Sequence, residues 1–166
     1  MSQRTIDTVL RVQNESGYKS ALRNCTAELK VQKTELERVT SEYRTNANSM
    51  EALTKKGDVL FRMYDTQQQK IELLREAMEQ AQNTRDTERE TLASLRDQYD
   101  QAQKKLATLK EQVDETSQEF QEQKAAVDEL RDSVIQHQAK LDASTKSYSY
   151  YAAQLNKAEV ELDNLG

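Results

Sequence analysis

The sequence of 166 residues contains no proline, no tryptophan, three glycines and one cysteine. Proline and glycine are the residues that most often end helices and form turns, so their scarcity leaves few places where the chain must bend. Aromatic residues make up 5% of the chain, apolar residues 36% and charged residues 32%. That is little material for a spherical hydrophobic core. The composition therefore favours long helices over a globular domain.

Several classes of function are disfavoured by what is missing. The single cysteine, Cys25, cannot form a disulfide within the chain, which fits a reducing compartment. No apolar run approaches the ~18 residues of a transmembrane helix, and residues 1–12 lack the uninterrupted apolar centre of a signal peptide. Lys and Arg are interspersed with Asp and Glu to a net charge of -5. We therefore expect no membrane segment, no export by the usual route and no direct nucleic-acid binding.

Apolar residues recur from Met50 to Leu165 at alternating spacings of three and four, which is the a/d pattern of a coiled coil. The same frame reaches back to Tyr18. A narrow apolar stripe cannot be buried on a single helix, so the chain should self-associate or fold back. The predicted fold class is all-α: an elongated helical coiled coil, either a rod or a helical hairpin, preceded by a short β-like segment. The residues predicted to form this helix-pairing seam are Leu22, Leu29, Leu36, Leu53, Leu60, Ile71, Leu74, Leu92, Leu95, Leu106, Leu109, Val113, Phe120, Val127, Leu130, Val134, Leu141, Leu155 and Leu162.

The seam has one weak place. Its only consecutive polar pair is Arg85 with Glu88, inside the polar run 82–91. We predict a possible hinge there, within one long heptad helix from residue 50 to 166. In a parallel dimer Glu28 would attract Lys33, whereas Lys105 would repel Lys110. The number of chains and their orientation therefore stay open.

The N-terminal third divides into three parts. Residues 1–13 contain the β-like run TIDTVLRV, which would pair with another chain, lie along a helix or stay mobile. A polar turn at the start of residues 14–43 can cap the first helix. At 44–49 we predict a break, because Asn48 followed by Glu51 has the form of a capping box. The competing interpretation is a continuous helix, since the heptad frame crosses this interval unchanged.

The sequence predicts no catalytic residue, no cofactor and no metal site. Cys25 and His137 both fall on the seam, where a buried small side chain and a polar residue that tunes pairing are the simpler interpretations. The sequence has no Gly-rich phosphate loop and no G-x-S-x-G or H-E-x-x-H motif. Among the tyrosines at 148, 150 and 151, only Tyr150 lies off the seam and is left for an outside partner.

The first part of the chain resembles a known family. It reads IDTVLRVQNESGYKSALRNCTAELKVQKTELERVTSEY and, after a short gap, NANSMEALTKKGDVLFRMYDTQQQKIELLREAMEQAQ. A short strand leads to a Tyr-x-x-x-Leu helix, an Asn/Ser break and an ALTKK segment that enters a Gln/Lys/Glu-rich helix. This arrangement resembles the beginning of phage and prophage tail tape-measure proteins. The similarity covers roughly the first 80 residues, and the remainder matches only generic coiled coil.

The resemblance implies a structural role in phage tails. Tape-measure proteins are long helical chains around which the tail tube polymerises, so the implied partners are tail-tube proteins and tail assembly chaperones. The implied location is the virion tail, after assembly in the bacterial cytoplasm. An uninterrupted helix from Tyr18 to Gly166 would span about 220 Å at ~1.5 Å per residue, which suits a ruler. At 166 residues the chain would be an N-terminal fragment. The alternative is a cellular coiled-coil tether whose N-terminal strand adds to the edge of a partner's sheet.

Overall fold

In a computed structural model, residues 15–165 form three α-helices joined by short turns. Helix α1 is Glu15–Glu42, α2 is Met50–Gln112 and α3 is Gln118–Asp163. Every regular element of this described part is helical, which confirms the predicted all-α class. The β-like segment at 1–13 lies outside the described residues.

The chain divides into two compact units. Unit 1 contains α1, the part of α2 up to Ala77 and the part of α3 from Tyr151 onward. Within it, Arg62 binds Glu35 and Thr66 binds Gln32, so α1 and α2 run antiparallel. The end of α3 packs beside them, because Gln67 contacts Glu161 and Arg75 contacts Glu159. Three helical segments therefore enclose the core of this unit, which includes the cluster Val39, Val59, Met63, Leu29, Leu36, Tyr43 and Leu165.

Unit 2 is residues 78–150, the remaining parts of α2 and α3 with the turn between them. Glu88 contacts His137, and the Ala102 carbonyl accepts a hydrogen bond from Gln123. These pairs converge on the turn, so the two helices are antiparallel here as well. The buried apolar residues of this unit are Ala81, Leu92, Leu109, Phe120 and Val127.

The first interruption separates α1 from α2. Helix α1 ends at Glu42 and α2 begins at Met50, so the interval between them contains the predicted break at 44–49. Consecutive turn hydrogen bonds cross it, among them the Asn46 N–H to the Tyr43 carbonyl at 3.0 Å. The sequence predicted that Asn48 caps α2, but the capping residue is the next one along the chain. Ser49 caps α2, because its hydroxyl oxygen accepts the Ala52 N–H at 3.2 Å.

The second interruption was not predicted, since the sequence indicated one helix from residue 50 to 166. Helix α2 is continuous across 82–91 and instead ends at Gln112. Residues 82–91 stay helical because the polar seam residues there have partners on α3: Arg85 lies over the Tyr148 ring at 4.6 Å, and Glu88 contacts His137. No proline or glycine within the run opposes the helix.

The turn at 113–117 is specified by its own side chains. The Asp114 carboxylate accepts hydrogen bonds from the Thr116 N–H at 2.8 Å and the Thr116 hydroxyl at 2.6 Å. The Ser117 hydroxyl oxygen then accepts the Phe120 N–H at 3.3 Å and caps α3. These contacts offer the backbone an alternative to helix and start the next helix in the opposite direction. The hydrogen bonds also hold the pKa of the Asp114 carboxyl below its ordinary value.

None of the three helices combines the length and the apolar character needed to cross a lipid bilayer, as judged over residues 15–165.

Candidate functional site

The predicted helix-pairing seam is distributed between buried and half-buried positions. Only one of its residues is exposed: Leu53, with 52% of its surface accessible. The fully buried members are Ile71, Leu74, Leu92, Leu109, Phe120 and Val127. The half-buried members are Leu22, Leu29, Leu36, Leu60, Leu95, Leu106, Val113, Leu130, Val134, Leu141, Leu155 and Leu162. Leu53 departs from the seam because α3, as far as Leu165, does not cover the first turns of α2.

A second stripe on α2 was missed by the sequence analysis. Ala52, Val59, Met63, Thr66 and Ala77 are buried but lie outside the single a/d frame. They face α1, as the Thr66 to Gln32 hydrogen bond and the cluster of Val59 with Val39 show. Their successive spacings are seven, four, three and eleven residues, all of which fit a second heptad frame, and a search for two stripes on one helix would have found it.

Gln67 is the central polar residue between α2 and α3 in unit 1. Its side chain is buried, and its amide nitrogen donates to the Ala158 carbonyl at 2.7 Å and to the Glu161 carboxylate at 3.1 Å. Lys70 binds the same carboxylate oxygen at 3.2 Å. Burial raises the pKa of the Glu161 carboxyl, but Lys70 and the Gln67 amide hold it below its ordinary value overall. One carboxylate thus joins two α2 side chains to α3.

Gln32 occupies the corresponding place between α1 and α2. Its amide nitrogen donates to the Thr66 hydroxyl oxygen at 2.9 Å and, at 3.4 Å, to Glu28. Its amide oxygen is buried without a hydrogen-bond partner from the protein, which costs roughly 1–3 kcal/mol. A buried amide with one half unsatisfied favours pairing specificity over stability.

The turn between α1 and α2 is fastened by a second polar network. The Lys55 ammonium donates to the Tyr43 hydroxyl at 2.6 Å and lies 5.0 Å from the centre of its ring. The Tyr43 hydroxyl in turn donates to Glu51 at 2.7 Å, and Lys55 also reaches Glu42 at 3.7 Å. The hydrogen bonds from Tyr43 and Lys55 lower the pKa of the Glu51 carboxyl, and the hydrogen bond with Tyr43 raises the pKa of Lys55.

His137 and Cys25 occupy the helix interfaces at which the sequence placed them. The His137 imidazole lies 2.5 Å from the Glu88 carboxylate, with both side chains mostly buried. Cys25 is buried on α1, and burial raises the pKa of its thiol. Over residues 15–165 no group of three or more His, Cys, Asp or Glu side chains comes together in a way that could hold a metal ion.

The α2 stripe is the most apolar exposed surface of unit 1. We use this name for Met50, Leu53, Phe61 and Tyr64, of which Phe61 is 73% exposed. At 100° per residue, all four lie within about 40° of one line along the helix. Gly57 lies on the same line, and a Cβ atom added there would meet nothing within 4 Å. Met50, Leu53 and Tyr64 belong to the a/d frame of the sequence, whereas Phe61 lies outside it, because a single heptad frame allows only one apolar face.

These features define a set of helix-to-helix contacts and one exposed apolar surface. What the arrangement can do is hold three helical segments in a fixed alignment and offer a face for another helix. No protein-family model, no curated protein and no solved structure matches the chain.

Proposed function

We propose that this chain is a non-catalytic helical scaffold, and specifically the N-terminal region of a phage or prophage tail tape-measure protein. The resemblance of roughly the first 80 residues supports the specific assignment. The helical structure of residues 15–165 supports the broader one, because nearly every described residue belongs to a helix or to a turn that joins two helices. In this role the protein is located in the virion tail after assembly in the host cytoplasm.

The proposed scaffold element is an antiparallel coiled-coil hairpin of α2 and α3. Three of the contacts across the pair join residues whose numbers add to 225: Gln67 with Ala158, Glu88 with His137, and Ala102 with Gln123. All six lie in the a/d frame read from the sequence. Contacts between seam residues, as in these three pairs, are what knobs-into-holes packing requires.

The proposed partners are tail-tube subunits and tail assembly chaperones, which would bind the outside of these helices. The chain would contribute no reaction and no direct contact to nucleic acid. The interruptions at 43–49 and 113–117 mean that the ~220 Å expected for one unbroken helix does not apply to this state. The ruler hypothesis therefore requires that tube assembly extend the chain.

Tail length is the measurement that tests the proposal. In-frame deletions within the segment encoding α2 should shorten the tails seen by electron microscopy in proportion, by ~1.5 Å per deleted residue. Substitution of the same number of exposed residues is the matched control, since it alters the surface without changing the length. Tails of unchanged length in the deletion strains would refute the ruler role.

A cellular tether is the second candidate, favoured by the two reversals of chain direction. Helices that fold back on one another are shorter than one unbroken helix, which suits a spacer between two partners more than an extended ruler. The encoding locus separates the two proposals. Tail-tube and tail-chaperone genes beside it would support the tape-measure assignment, whereas their absence would favour the tether.

A further inference from the structure

Unit 1 presents two exposed faces that complement each other in charge and shape. The first is the α2 stripe. The second, which we call the basic α1 face, consists of Arg23, Lys30, Val31, Thr34 and Arg38, all exposed. We propose that the α2 stripe of one copy docks on the basic α1 face of a second copy, so that the chain self-associates head to tail. This inference does not depend on the tape-measure assignment.

The charge pattern supports a second copy as the occupant. Glu51, Asp58 and Asp65 are exposed and run along one flank of the α2 stripe at intervals of seven residues, about 10 Å apart. On the basic α1 face, Arg23, Lys30 and Arg38 follow one another at seven and eight residues, which gives nearly the same spacing. Within one copy Glu51 binds Lys55 and Arg38 binds Glu42. The contact between copies therefore depends mainly on Asp58 and Asp65 laid beside Arg23 and Lys30, two pairs with the same spacing of seven residues.

The apolar parts of the two faces also correspond. Val31 is 67% exposed and lies beside Thr34 and Arg38 at the edge of the basic α1 face. A shallow groove of about 500 Å³ surrounds it, lined by Lys30, Val31, Thr34, Glu35 and Arg38. Phe61 is 73% exposed on the α2 stripe, so its ring is available to lie against this surface. An aromatic anchor placed in a groove with charged flanks is the usual form of an energetically important contact.

Pairing of the α2 stripe with itself is disfavoured by the same charges. If two copies of α2 lay antiparallel, the flank with Glu51, Asp58 and Asp65 would face its own symmetry mate, and carboxylates would oppose carboxylates. If they lay parallel, that flank would meet only one cation, Lys56, on the other side of the stripe. The basic α1 face offers three.

The position of the two faces determines the form of the assembly. On α2 the stripe lies roughly 160° around the helix from Ala52, Val59 and Thr66, which face α1. On α1, Val31 and Thr34 lie about 100° or more from the buried Gln32. The two faces thus point in different directions from the α1–α2 pair of unit 1. A contact between unlike faces leaves one of each free in every dimer, so association continues into chains of molecules unless it closes into a ring.

Two exposed substitutions test this arrangement. Phe61→Gln removes the anchor from the α2 stripe, and Val31→Glu places a carboxylate opposite the acidic row. Each should weaken association of the full chain by at least about tenfold, which corresponds to 1.4 kcal/mol. Sedimentation velocity over a concentration series measures this, with circular dichroism to verify that the helices remain. The matched control is Val160→Gln, at a 53% exposed valine of unit 1 that belongs to neither face, and it should associate like the native chain.

Mixing the two variants gives the decisive result. The Phe61→Gln chain keeps its basic α1 face, and the Val31→Glu chain keeps its α2 stripe, so the mixture can form one contact and no more. We expect each variant alone to be monomeric and the equimolar mixture to form a one-to-one dimer. Dimers of Val31→Glu alone would show that the stripe pairs with itself, and would overturn the proposal. A native chain that stays monomeric up to millimolar concentration would overturn it as well.

Discussion

Two leucines that are equivalent in the sequence pattern differ sharply in the structure. Leu53 and Leu74 are 21 residues apart, which is three heptads, so both occupy the same position of the a/d frame and both belong to the predicted seam. In the structure Leu74 is 1% exposed, whereas Leu53 is 52% exposed. Both lie in unit 1 and on α2. Substitution of each by alanine therefore compares burial at constant residue type, helix and heptad position.

The expected magnitudes follow from the contacts that each side chain makes. Leu74 is among the most completely buried side chains of the described residues, so Leu74→Ala removes buried methyl groups and leaves a cavity. The free energy of unfolding should fall by about 3 kcal/mol, within the usual 2–5 kcal/mol for a buried leucine. At about 2–4 °C per kcal/mol for a chain of this size, the melting temperature should fall by about 6–12 °C. Leu53→Ala should change the unfolding free energy by less than about 0.5 kcal/mol.

Urea unfolding followed by circular dichroism at 222 nm provides the assay. Both variants and the native chain are measured at low micromolar concentration, so that self-association through the α2 stripe does not contribute. The slope with denaturant should be the same in all three, which permits comparison of midpoints. Equal losses for Leu53→Ala and Leu74→Ala would refute the reasoning, because they would mean that both leucines are covered as the simple heptad pattern implies.

Three further outcomes can be checked in the same way. Gly57→Ala should raise the unfolding free energy by about 0.5–1 kcal/mol, because the added methyl group meets open space and glycine is a poor residue inside a helix; a loss of stability would contradict the exposed position. Gln67→Leu should leave the unfolding free energy unchanged or raise it by up to about 1 kcal/mol, since Glu161 keeps Lys70 as a partner; a loss above about 2 kcal/mol would be inconsistent with this account. Because the folded state lowers the pKa of Glu161, its contribution is present above the ordinary carboxyl pKa of about 4.3 and disappears as the pH falls through the lower folded value. Glu161→Gln should remove this part of the acid sensitivity, a difference below about 1 kcal/mol after solvent screening, and identical acid profiles for the two proteins would count against it.

The helical class could be predicted from the sequence because the signals for it are numerous and act locally. Good helix formers, the absence of proline and an apolar repeat of seven all point to the same structure. Leu74, Leu92 and Leu109 are buried as the seam required. Because every turn of such a helix carries the same sequence signals, a wrong prediction at one position does not change the predicted fold class.

The second interruption could not be found by the same reasoning, because it leaves the heptad frame intact. Val113 and Thr116 fall on seam positions although they belong to the turn. The signal was present in the side chains Asp114 and Ser117, which can hydrogen-bond the backbone and cap a helix. Residues 82–91 include Asn83, Asp86 and three threonines, which are side chains of the same kind, but Thr84 and Thr91 donate to carbonyl oxygens four residues earlier in their own helix and do not interrupt it. Judged by composition alone, residues 82–91 were the better candidate for a break in the helix than the sequence Asp-Glu-Thr-Ser, which forms the turn.

The two faces of α2 in unit 1 were missed for a different reason. A single heptad count assigns one interface to each helix, whereas residues 50–77 pack against both α1 and α3. Val59 and Met63 lie on the face of α2 toward α1, and Ile71 and Leu74 lie on the face toward α3. The apolar residues left over after both interfaces are satisfied, Phe61 above all, mark the face that remains for another molecule. Counting interfaces per helix, and not only apolar positions, is what separates buried from available surface.

The polar seam residues of unit 2 have a role that the apolar pattern cannot fill. An apolar repeat of seven is unchanged when α3 slides along α2 by seven residues, so it does not choose among alignments. Such a slide in one direction would place Glu88 opposite Leu130 and His137 opposite Ala81. In the other direction Glu88 would meet Ser144 and His137 would meet Leu95. Either way the 2.5 Å contact between Glu88 and His137 is lost, and a mostly buried carboxylate is left without its partner at a cost of several kcal/mol. The residues that first looked like the weak place in the seam are therefore the ones that fix its alignment.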